Sequence, residues 1–339
     1  MKAWQLQDAF GLDNLKLIMQ PVPTPSAREV LVRLHAVSLN SRDLRMIQGV
    51  YNPKQSLPLI PVSDGVGNVV ACGQDVRQVQ IGDRVAAVMV QGWKTGPPTL
   101  DHIRHRTLGG PLPGMLQEFV VLHEDDVIQI PTYLSDEEAA TLPCAALTAW
   151  SALATLGHLQ AKQTVLVQGT GGVSVLALQI ARASGARVFA TSSSDEKRQR
   201  LEALGAEQTV NYKHTPQWGK WARTMADELG VEHVIDVGGE NTLSESLQAV
   251  RPGAQISVIG VLSGTSCPVN LLAILMRQIR LQGVFVGHKD GFTAMNDFLN
   301  EHQLRPVVDR TFAFGEVPEA FHYFQSGSRV GKVCVRVDV

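Results

Sequence analysis

The chain has 339 residues, of which 44% are hydrophobic and 18% are charged. That length exceeds what one compact core usually holds and predicts two domains. With 30 basic and 32 acidic residues the net charge is −2, so no broad charge excess favours nucleic acid or an anionic membrane surface. The first residues lack the apolar core of a signal peptide, and no apolar run is long enough to cross a bilayer. We therefore predict a cytoplasmic protein that acts on a small molecule.

The first 130 residues contain short apolar runs interrupted by Gly, Pro and Asn. The runs that predict strands include EVLVRLHAVSL, GNVVACG and DRVAAVMV. This pattern is typical of an irregular antiparallel barrel. After about residue 288 the chain ends in a further predicted strand, GKVCVRVDV. We predict one domain from residues 1–130 and 288–339.

A helix is predicted at the junction, within LSDEEAATLPCAALTAWSAL. Ser135 precedes Glu138 by three residues, which is the spacing of a capping box. Cys144 follows on or just after that helix, and it could be a metal ligand, a nucleophile or a packing residue. The four cysteines form no C-x-x-C pair, so reduced thiols are expected.

Strands and helices alternate from residue 164 onward. The predicted strands are TVLVQ, RVFATS, QTVNY, HVIDVG, QISVIGV and QGVFVG, and the predicted helices are VSVLALQIARAS, DEKRQRLEAL, PQWGKWARTMADEL, TLSESLQAV and NLLAILMRQ. Strict alternation indicates right-handed crossovers and a parallel sheet covered on both faces. We predict a doubly wound α/β domain over residues 131–287.

A glycine-rich loop follows the first of these strands. Gly169, Gly171 and Gly172 stand between TVLVQ and the next helix, where backbone without Cβ and a helix N-terminus can hold a pyrophosphate. Ser174 occupies the third glycine position of the G-x-G-x-x-G pattern. The surrounding strand and helix favour a dinucleotide site over a simple tight turn.

The second strand predicts which dinucleotide binds. NAD-specific proteins usually carry an acid there for the ribose 2′-hydroxyl, but this sequence has TSSSDEKRQR. Ser192 leaves room for a 2′-phosphate that Lys197 or Arg198 could neutralise, so we predict NADP(H). The alternative is that Ser193 and Glu196 form a capping box on a solvated helix.

The chain resembles the medium-chain dehydrogenase/reductase superfamily, and within it the zinc-lacking, quinone oxidoreductase-like branch. The matching segments are SLNSRDL, PLIPVSDGVGNVVACG, GDRV, LPCAALTAW, GTGGVSVLALQIA, RPGAQISVIGVLSG and GKVCV. The resemblance implies a GroES-like barrel domain, a Rossmann cofactor domain and an active site in the cleft between them.

The resemblance also implies that no metal is bound. Zinc enzymes of the superfamily have a cysteine where this chain has Asn40, and a Gly-His-Glu where it has Val62, Ser63 and Asp64. An amide and a hydroxyl do not replace a thiolate and an imidazole as zinc ligands. Cys144 matches the remaining ligand position, and we interpret it as a small, mostly buried wall residue.

Site residues follow from the same resemblance. Asn40 is expected to contact the nicotinamide ribose and Tyr51 to line the substrate site, although Asn40 could instead cap a turn and Tyr51 could pack on Pro53. Arg42 is expected to pair with an acid, Asp43 or Asp64. The predicted cofactor-binding set is Asn40, Thr148, Gly169, Thr170, Gly171, Gly172, Val173, Ser192, Lys197, Tyr212, Gly260, Val261 and Lys332.

The sequence thus predicts an NADPH-dependent, zinc-independent oxidoreductase that transfers hydride to a quinone or an α,β-unsaturated carbonyl. Two alternatives stay open: a zinc-free alcohol dehydrogenase or aldehyde reductase, and a noncatalytic NADPH-binding sensor or structural protein. The segment RQIRLQGVFVG would leave a strand edge unpaired, which predicts a homodimer.

Overall fold

The computed structural model describes residues 1–337, and the chain forms two compact units. The first unit is Met1–Ala145 together with the segment from His288 onward, and the second unit is Ala146–Gly287. Residues 131–145, which the sequence assigns to the cofactor domain, lie in the first unit. Two residues of the terminal strand GKVCVRVDV, Asp338 and Val339, lie outside the described residues.

The strands, in chain order, are β1 (Lys2–Leu6), β2 (Leu15–Met19), β3 (Glu29–Ser38), β4 (Asp64–Cys72), β5 (Arg84–Ala87), β6 (Phe119–His123), β7 (Val127–Gln129), β8 (Thr164–Gln168), β9 (Arg187–Ser192), β10 (Gln208–Asn211), β11 (Val231–Asp236), β12 (Val250–Val258), β13 (Arg280–Gly283), β14 (Val308–Ala313) and β15 (Lys332–Arg336).

The helices are α1 (Ser41–Ile47), α2 (Leu100–His105), α3 (Asp136–Ala140), α4 (Leu147–Trp150), α5 (Gly172–Ala183), α6 (Asp195–Ala203), α7 (Trp218–Met225), α8 (Leu243–Ala249), α9 (Leu271–Arg277), α10 (Lys289–His302) and α11 (Val317–Ser326). Short 3-10 turns precede β2, β7 and α11, and π-helical turns flank α4.

The first unit is built around the long strand β3. Its main sheet has the order β14-β15-β3-β4-β5-β7, and β6 also pairs with β3. All of these pairs are antiparallel except β14 with β15. The β3–β4 register shifts twice, which bends the sheet. At one shift a Cβ on Gly67 would lie 1.9 Å from the Arg33 carbonyl oxygen, so only glycine fits there.

The last strand returns to this first sheet, as expected. β15 pairs antiparallel with β3, with Cys334 opposite Ser38, and the Leu39 amide donates to the Val333 carbonyl oxygen at 2.9 Å. This pairing places Lys332, at the start of β15, beside the residues that follow β3. Two strands almost 300 positions apart thus bring Lys332 next to the residues that follow β3.

The second unit confirms the doubly wound α/β prediction. Its sheet has the order β10-β9-β8-β11-β12-β13, and every pair is parallel. Helices α5 to α9 connect the strands, and the core includes the fully buried Phe189 and Ile256. The bounds predicted for the last strand, QGVFVG, are wrong, because β13 begins earlier and ends at Gly283.

The junction helix begins as predicted. Glu138 accepts from the Ser135 amide at 2.8 Å, and Ser135 accepts from the Glu138 amide at 3.2 Å, which completes the capping box. The chain then passes through a π-helical turn, Leu142–Ala146, that contains Cys144. Such wide turns are uncommon and often occur at functional sites.

Candidate functional site

A buried polar cluster of the first unit centres on Asn40, the residue that precedes α1. The Asn40 side-chain amide donates to Asp64 Oδ2 at 2.9 Å, and the Ser63 hydroxyl donates to Asp64 Oδ1 at 2.8 Å. Both Ser63 and Asp64 are fully buried. Asn40 does begin a helix, but its side chain is committed to this cluster.

Lys332 supplies a positive charge next to Asn40 and Asp64. Its ammonium donates to the Leu39 carbonyl oxygen at 2.8 Å and to Asn40 Oδ1, and it lies 3.9 Å from Asp64 Oδ2. Lys332 is only 2% exposed, so this charge is held where it interacts strongly with its neighbours. Burial raises the pKa of Asp64 to about 6, although Lys332 opposes that shift.

Arg42 pairs with Asp43, which confirms one of the two pairings expected. The guanidinium lies 3.2 Å from Asp43 Oδ1 and also donates to the carbonyl oxygens of Leu108 and Gly110 at 2.9 and 3.0 Å. Burial raises the pKa of Asp43, and the charge of Arg42 acts against that rise. These bonds fix the guanidinium, since Arg42 itself is 8% exposed.

Tyr51 lies at the exposed margin of this cluster. Its ring centroid is 5.3 Å from the Arg42 guanidinium carbon, a cation–π arrangement, and the residue is 47% exposed. A half-exposed phenol held against a fixed cation can present its hydroxyl to a bound molecule. The structure therefore brings Asn40 and Lys332 into direct contact, and Tyr51 joins them through the Arg42 side of the cluster.

Cys144 is half-buried and close enough to the cluster to sense its charges. Burial, and then the charge of Asp64, raise the pKa of its thiol. A protonated thiol is a weak nucleophile and a poor metal ligand. Within residues 1–337 no group of three or more His, Cys, Asp or Glu side chains could hold a metal ion.

The segment 92–114 is anchored rather than loose. It contains α2, and Trp93 is buried against His102, with ring centroids 6.0 Å apart, and against His288 at 5.8 Å. The Lys289 amide donates to the Trp93 carbonyl oxygen at 3.0 Å, which ties the segment to the start of α10. His102 also accepts from the Thr99 amide at 3.1 Å, so it stabilises a helix N-terminus.

The glycine loop of the second unit has the geometry that a dinucleotide needs. Gly169 has φ +72°, a left-handed conformation that favours glycine, and Gly171 caps α5. A Cβ built on either residue would meet no atom within 4 Å, so the space above the loop is open. The Ser174 hydroxyl donates to the Gln168 carbonyl oxygen at 2.6 Å and fastens α5 to the end of β8.

Ser192, Lys197 and Tyr212 lie at the same edge of the sheet as the loop. Ser192 ends β9 beside Asn211 of β10, and the Tyr212 amide donates to the Ser192 carbonyl oxygen at 3.0 Å. Ser192 is fully buried, and its hydroxyl has no hydrogen-bond partner among the described residues. A buried hydroxyl left in this state is costly unless a ligand satisfies it.

Lys197 and Arg198 lie in the first turn of α6. Ser194, not Ser193, caps the helix by accepting from the Lys197 amide at 3.3 Å. Arg198 is bound within the protein, to Asp195 at 3.0 Å and to the Thr209 hydroxyl at 3.0 Å. The Arg198 guanidinium is therefore committed to α6 and β10 rather than directed at a phosphate.

The remaining predicted cofactor residues lie in the second unit at related positions. Gly260 and Val261 follow β12 at the carboxyl edge of the sheet, while Thr148 is buried on α4, which packs against α5. Thr170 and Val173 belong to the loop and to the first turn of α5. A Cβ on Gly260 would lie 2.4 Å from the Val237 carbonyl oxygen, so that position requires glycine.

Sequence reasoning missed a buried network that supports this edge. Asp236 ends β11 and accepts from Ser246 at 2.6 Å, from Thr242 at 2.6 Å and from the Gly238 and Gly239 amides at 3.1 and 3.0 Å. Gln168 also donates to it at 3.2 Å. An acid at a strand end, one residue before a pair of glycines, as in IDVGG, was the available signal.

Protein-family models match segments of both units. The family described as alcohol dehydrogenase GroES-like domain matches residues 26–132, and the family described as zinc-binding dehydrogenase matches residues 172–301. The chain is 42% identical to the zinc-type alcohol dehydrogenase-like protein C1773.06c of Schizosaccharomyces pombe, over 97% of this chain and 96% of that protein.

Two solved structures extend the comparison. One, a crystal structure of an NAD-dependent alcohol dehydrogenase, is 33% identical with a TM-score of 0.91 and covers 100% of both chains. The other, the quinone oxidoreductase from Coxiella burnetii, is 28% identical with a TM-score of 0.80, over 100% of this chain and 99% of that one.

The chain therefore belongs to the medium-chain dehydrogenase/reductase superfamily. It is an oxidoreductase of that superfamily, whose members use nicotinamide cofactors. Nowhere in residues 1–337 is a helix both long and apolar enough to cross a membrane.

Proposed function

We propose that this protein is an NADPH-dependent, zinc-independent oxidoreductase of the quinone oxidoreductase-like branch, which reduces a quinone or an α,β-unsaturated carbonyl. The observation that carries the proposal is the buried contact of Lys332 with Asn40 and Asp64. By the resemblance, Asn40 stands where zinc enzymes of the superfamily have a cysteine, and in this chain a buried ammonium donates to its oxygen.

The charges in the cluster support zinc independence. The Asn40 oxygen already accepts from the Lys332 ammonium, and both Asp64 oxygens already accept hydrogen bonds. A divalent cation brought beside a buried ammonium would be repelled strongly at low dielectric. The donor set is also oxygen-rich, whereas zinc in this superfamily prefers thiolate and imidazole.

The chain's own residues can stabilise negative charge on a substrate oxygen. We assign Tyr51 as the hydrogen-bond donor to the carbonyl oxygen, with Arg42 holding its ring and adding positive potential. Bound NADPH supplies the hydride. Without a metal, a conjugated acceptor is favoured because its charge spreads over several atoms. The proton that completes the reduction comes from solvent.

Asn40 and Lys332 are proposed as cofactor-positioning residues. Asn40 would contact the nicotinamide ribose, as the asparagine at this position does in the related quinone reductases. The Asn40 oxygen already accepts from Lys332 and its NH₂ group already donates to Asp64, so contact with the ribose would use the second amide hydrogen or require a change of partner. Cofactor preference for NADP(H) is assigned to Ser192, Lys197 and Tyr212.

The proposal is tested by an NADPH-oxidation screen over quinones, enones, aldehydes and ketones, with and without a chelator. We expect turnover of quinones or enones that is insensitive to the chelator and at least about tenfold lower in Tyr51→Phe, the loss expected for one well-placed donor. Tyr133→Phe, whose hydroxyl binds the Leu299 and Leu304 carbonyl oxygens, is the control and should keep full activity.

The two alternatives give different results in the same screen. Turnover of saturated alcohols or aldehydes alone would indicate a zinc-free alcohol dehydrogenase, which the similarity to alcohol dehydrogenases also makes reasonable. NADPH binding without oxidation by any acceptor would indicate a noncatalytic sensor or structural protein. One tightly held zinc per chain, lost together with activity, would contradict the metal argument.

We also propose a homodimer formed along β13. This strand is at the end of its sheet, and the neighbouring α9 exposes Leu271, Leu272, Leu275 and Met276 by 65 to 74% each. A two-fold partner can pair with the strand edge and cover the apolar helix.

We propose a cytoplasmic location for the protein. All four cysteines are free thiols, which fits a reducing compartment.

Light scattering at micromolar concentration should give twice the chain mass. Leu275→Glu should shift the mass toward the monomer, because it buries a charge in the proposed interface. Leu229→Glu, at an equally exposed position of the second unit, should leave the dimer intact. A monomer mass for the unmodified protein would rule out this assembly.

A further inference from the structure

A small cavity lies at the amino ends of the parallel strands of the second unit. Its volume is about 150 Å³, and its lining includes His233, Arg251 and Arg280. These residues lie in the first part of β11, β12 and β13. The glycine loop follows the carboxyl end of β8, so the cavity is at the opposite edge of the sheet from the cofactor site.

His233 brings an unsatisfied acceptor to this cavity. Its Nε2 lies 3.2 Å from Gln163 Oε1, an oxygen that also accepts from the Gln160 backbone N–H at 2.8 Å. Because this oxygen can only accept, Nε2 is the donor and carries the imidazole hydrogen. The neutral imidazole then carries a lone pair on Nδ1. That atom is buried, and none of the described residues forms a hydrogen bond with it.

Arg251 brings an unsatisfied donor. One of its terminal nitrogens lies 3.3 Å from Glu232 Oε1, and Glu232 is itself held by the Thr164 amide at 2.8 Å. The Arg251 Nε–H group is buried without an acceptor in the described part of the chain. The two residues that carry this unpaired donor and this unpaired acceptor therefore line the same cavity.

The charges at the cavity favour an anion. Burial and then the charges of Arg280 and Arg251 lower the pKa of His233 to about 4, so the imidazole is neutral at pH 7. Two guanidinium groups face one carboxylate, Glu232, while His158 lines the cavity from the exposed side. The result is a net positive site with one neutral acceptor.

We propose that this cavity binds inorganic hydrogen phosphate. Its negatively charged oxygens would accept from Arg251 and from Arg280. Its hydroxyl would donate to His233 Nδ1 once a small side-chain rotation turns that buried atom toward the cavity. Sulfate has the same shape but no hydroxyl at neutral pH, so it would leave Nδ1 unsatisfied. A volume of about 150 Å³ accommodates one such ion with a few waters, since each water occupies about 30 Å³.

The test is isothermal titration of inorganic phosphate into the protein saturated with NADPH, so that the glycine loop is already filled. At pH 7.5 we expect one site per chain and at least about tenfold weaker binding of sulfate, a difference of about 1.4 kcal/mol. Arg280→Gln and Arg251→Gln should each weaken phosphate by a similar factor. Arg104→Gln, which removes the same charge from the exposed surface of α2, should leave the affinity unchanged.

Three outcomes would overturn the proposal. Absence of saturable phosphate binding up to about 10 mM, tenfold above the 1 mM Kd that corresponds to about −4.1 kcal/mol, would mean that water fills the cavity. Equal affinity for sulfate would mean that His233 Nδ1 does not recognise a hydroxyl. Unchanged phosphate affinity in both arginine variants would place the ion elsewhere on the molecule.

Discussion

We expect NADPH to bind to this protein at least about tenfold more tightly than NADH, which corresponds to about 1.4 kcal/mol. The preference is expected because Ser192, Lys197 and Tyr212 meet at one edge of the sheet without an acid in the position that would bind a free 2′-hydroxyl. Charge-assisted hydrogen bonds contribute about 1.5 to 3 kcal/mol in good geometry and less when exposed. Since Tyr212 is 40% exposed, the lower figure applies.

Two substitutions separate the contributions to this preference. Lys197→Ala should erode it and leave NADH affinity nearly unchanged, because NADH has no phosphate to lose there. Ser192→Asp should invert it, because a carboxylate repels the 2′-phosphate and accepts from the 2′-hydroxyl. Fluorescence titration of both cofactors measures the effect, with Arg200→Ala, in the last turn of α6, as the control.

Two results would contradict the proposed preference for NADP(H). Equal affinity of the unmodified protein for NADH and NADPH would remove it. Equal weakening of both cofactors by Lys197→Ala would show that Lys197 acts on something other than the 2′-phosphate. Either result would leave the parallel sheet and its glycine loop unaffected.

Lys332→Met is expected to lower the free energy of unfolding of the first unit by about 3 to 5 kcal/mol at pH 7.5, the range for removing one partner of a buried charge pair. Lys332 is 3.9 Å from Asp64 Oδ2, and both side chains are buried. Without the ammonium, the Asp64 carboxylate loses the positive charge nearest to its Oδ2 atom. Urea denaturation followed by fluorescence measures the loss, and Lys220→Met, at an exposed position of α7, is the control.

The loss should depend on pH through Asp64. Its pKa in the folded protein is about 6, above the usual value of 3.8. Its contribution to stability is therefore fully present below pH 3.8 and is lost as the pH rises through about 6. Removal of Lys332 raises this pKa further, so the loss continues above pH 6 and the difference between variant and unmodified protein widens from pH 5 to pH 8.

A second substitution tests whether Lys332 stabilises the first unit through Asp64. Asp64→Asn combined with Lys332→Met should recover a substantial part of the lost stability at pH 8, because no buried charge is then left alone. A difference that is the same at pH 5 and pH 8 would show that Lys332 does not act through Asp64. The double variant would then be no more stable than Lys332→Met.

Features that depend on residues close together in the chain are predictable from the sequence alone. Alternating β-branched and amphipathic segments predicted the second unit's parallel sheet, since strand and helix periods are local properties. The capping box of Ser135 with Glu138 and the glycine loop after β8 were predicted for the same reason. The cap of α6 was placed one residue too early, because three consecutive serines are equally able to cap.

The pairing of charges that are distant in the chain depends on the tertiary fold. The contact of Lys332 with Asn40 joins residues 292 positions apart, and it exists because β15 pairs with β3. The commitment of Arg198 to Asp195 and Thr209, and the unsatisfied groups of His233 and Arg251, likewise depend on which strands are neighbours. The period of apolar residues predicts which helices and strands form. Which strands pair then decides which side chains come into contact, and the polar cluster at Asn40 and the cavity at His233 both depend on such contacts.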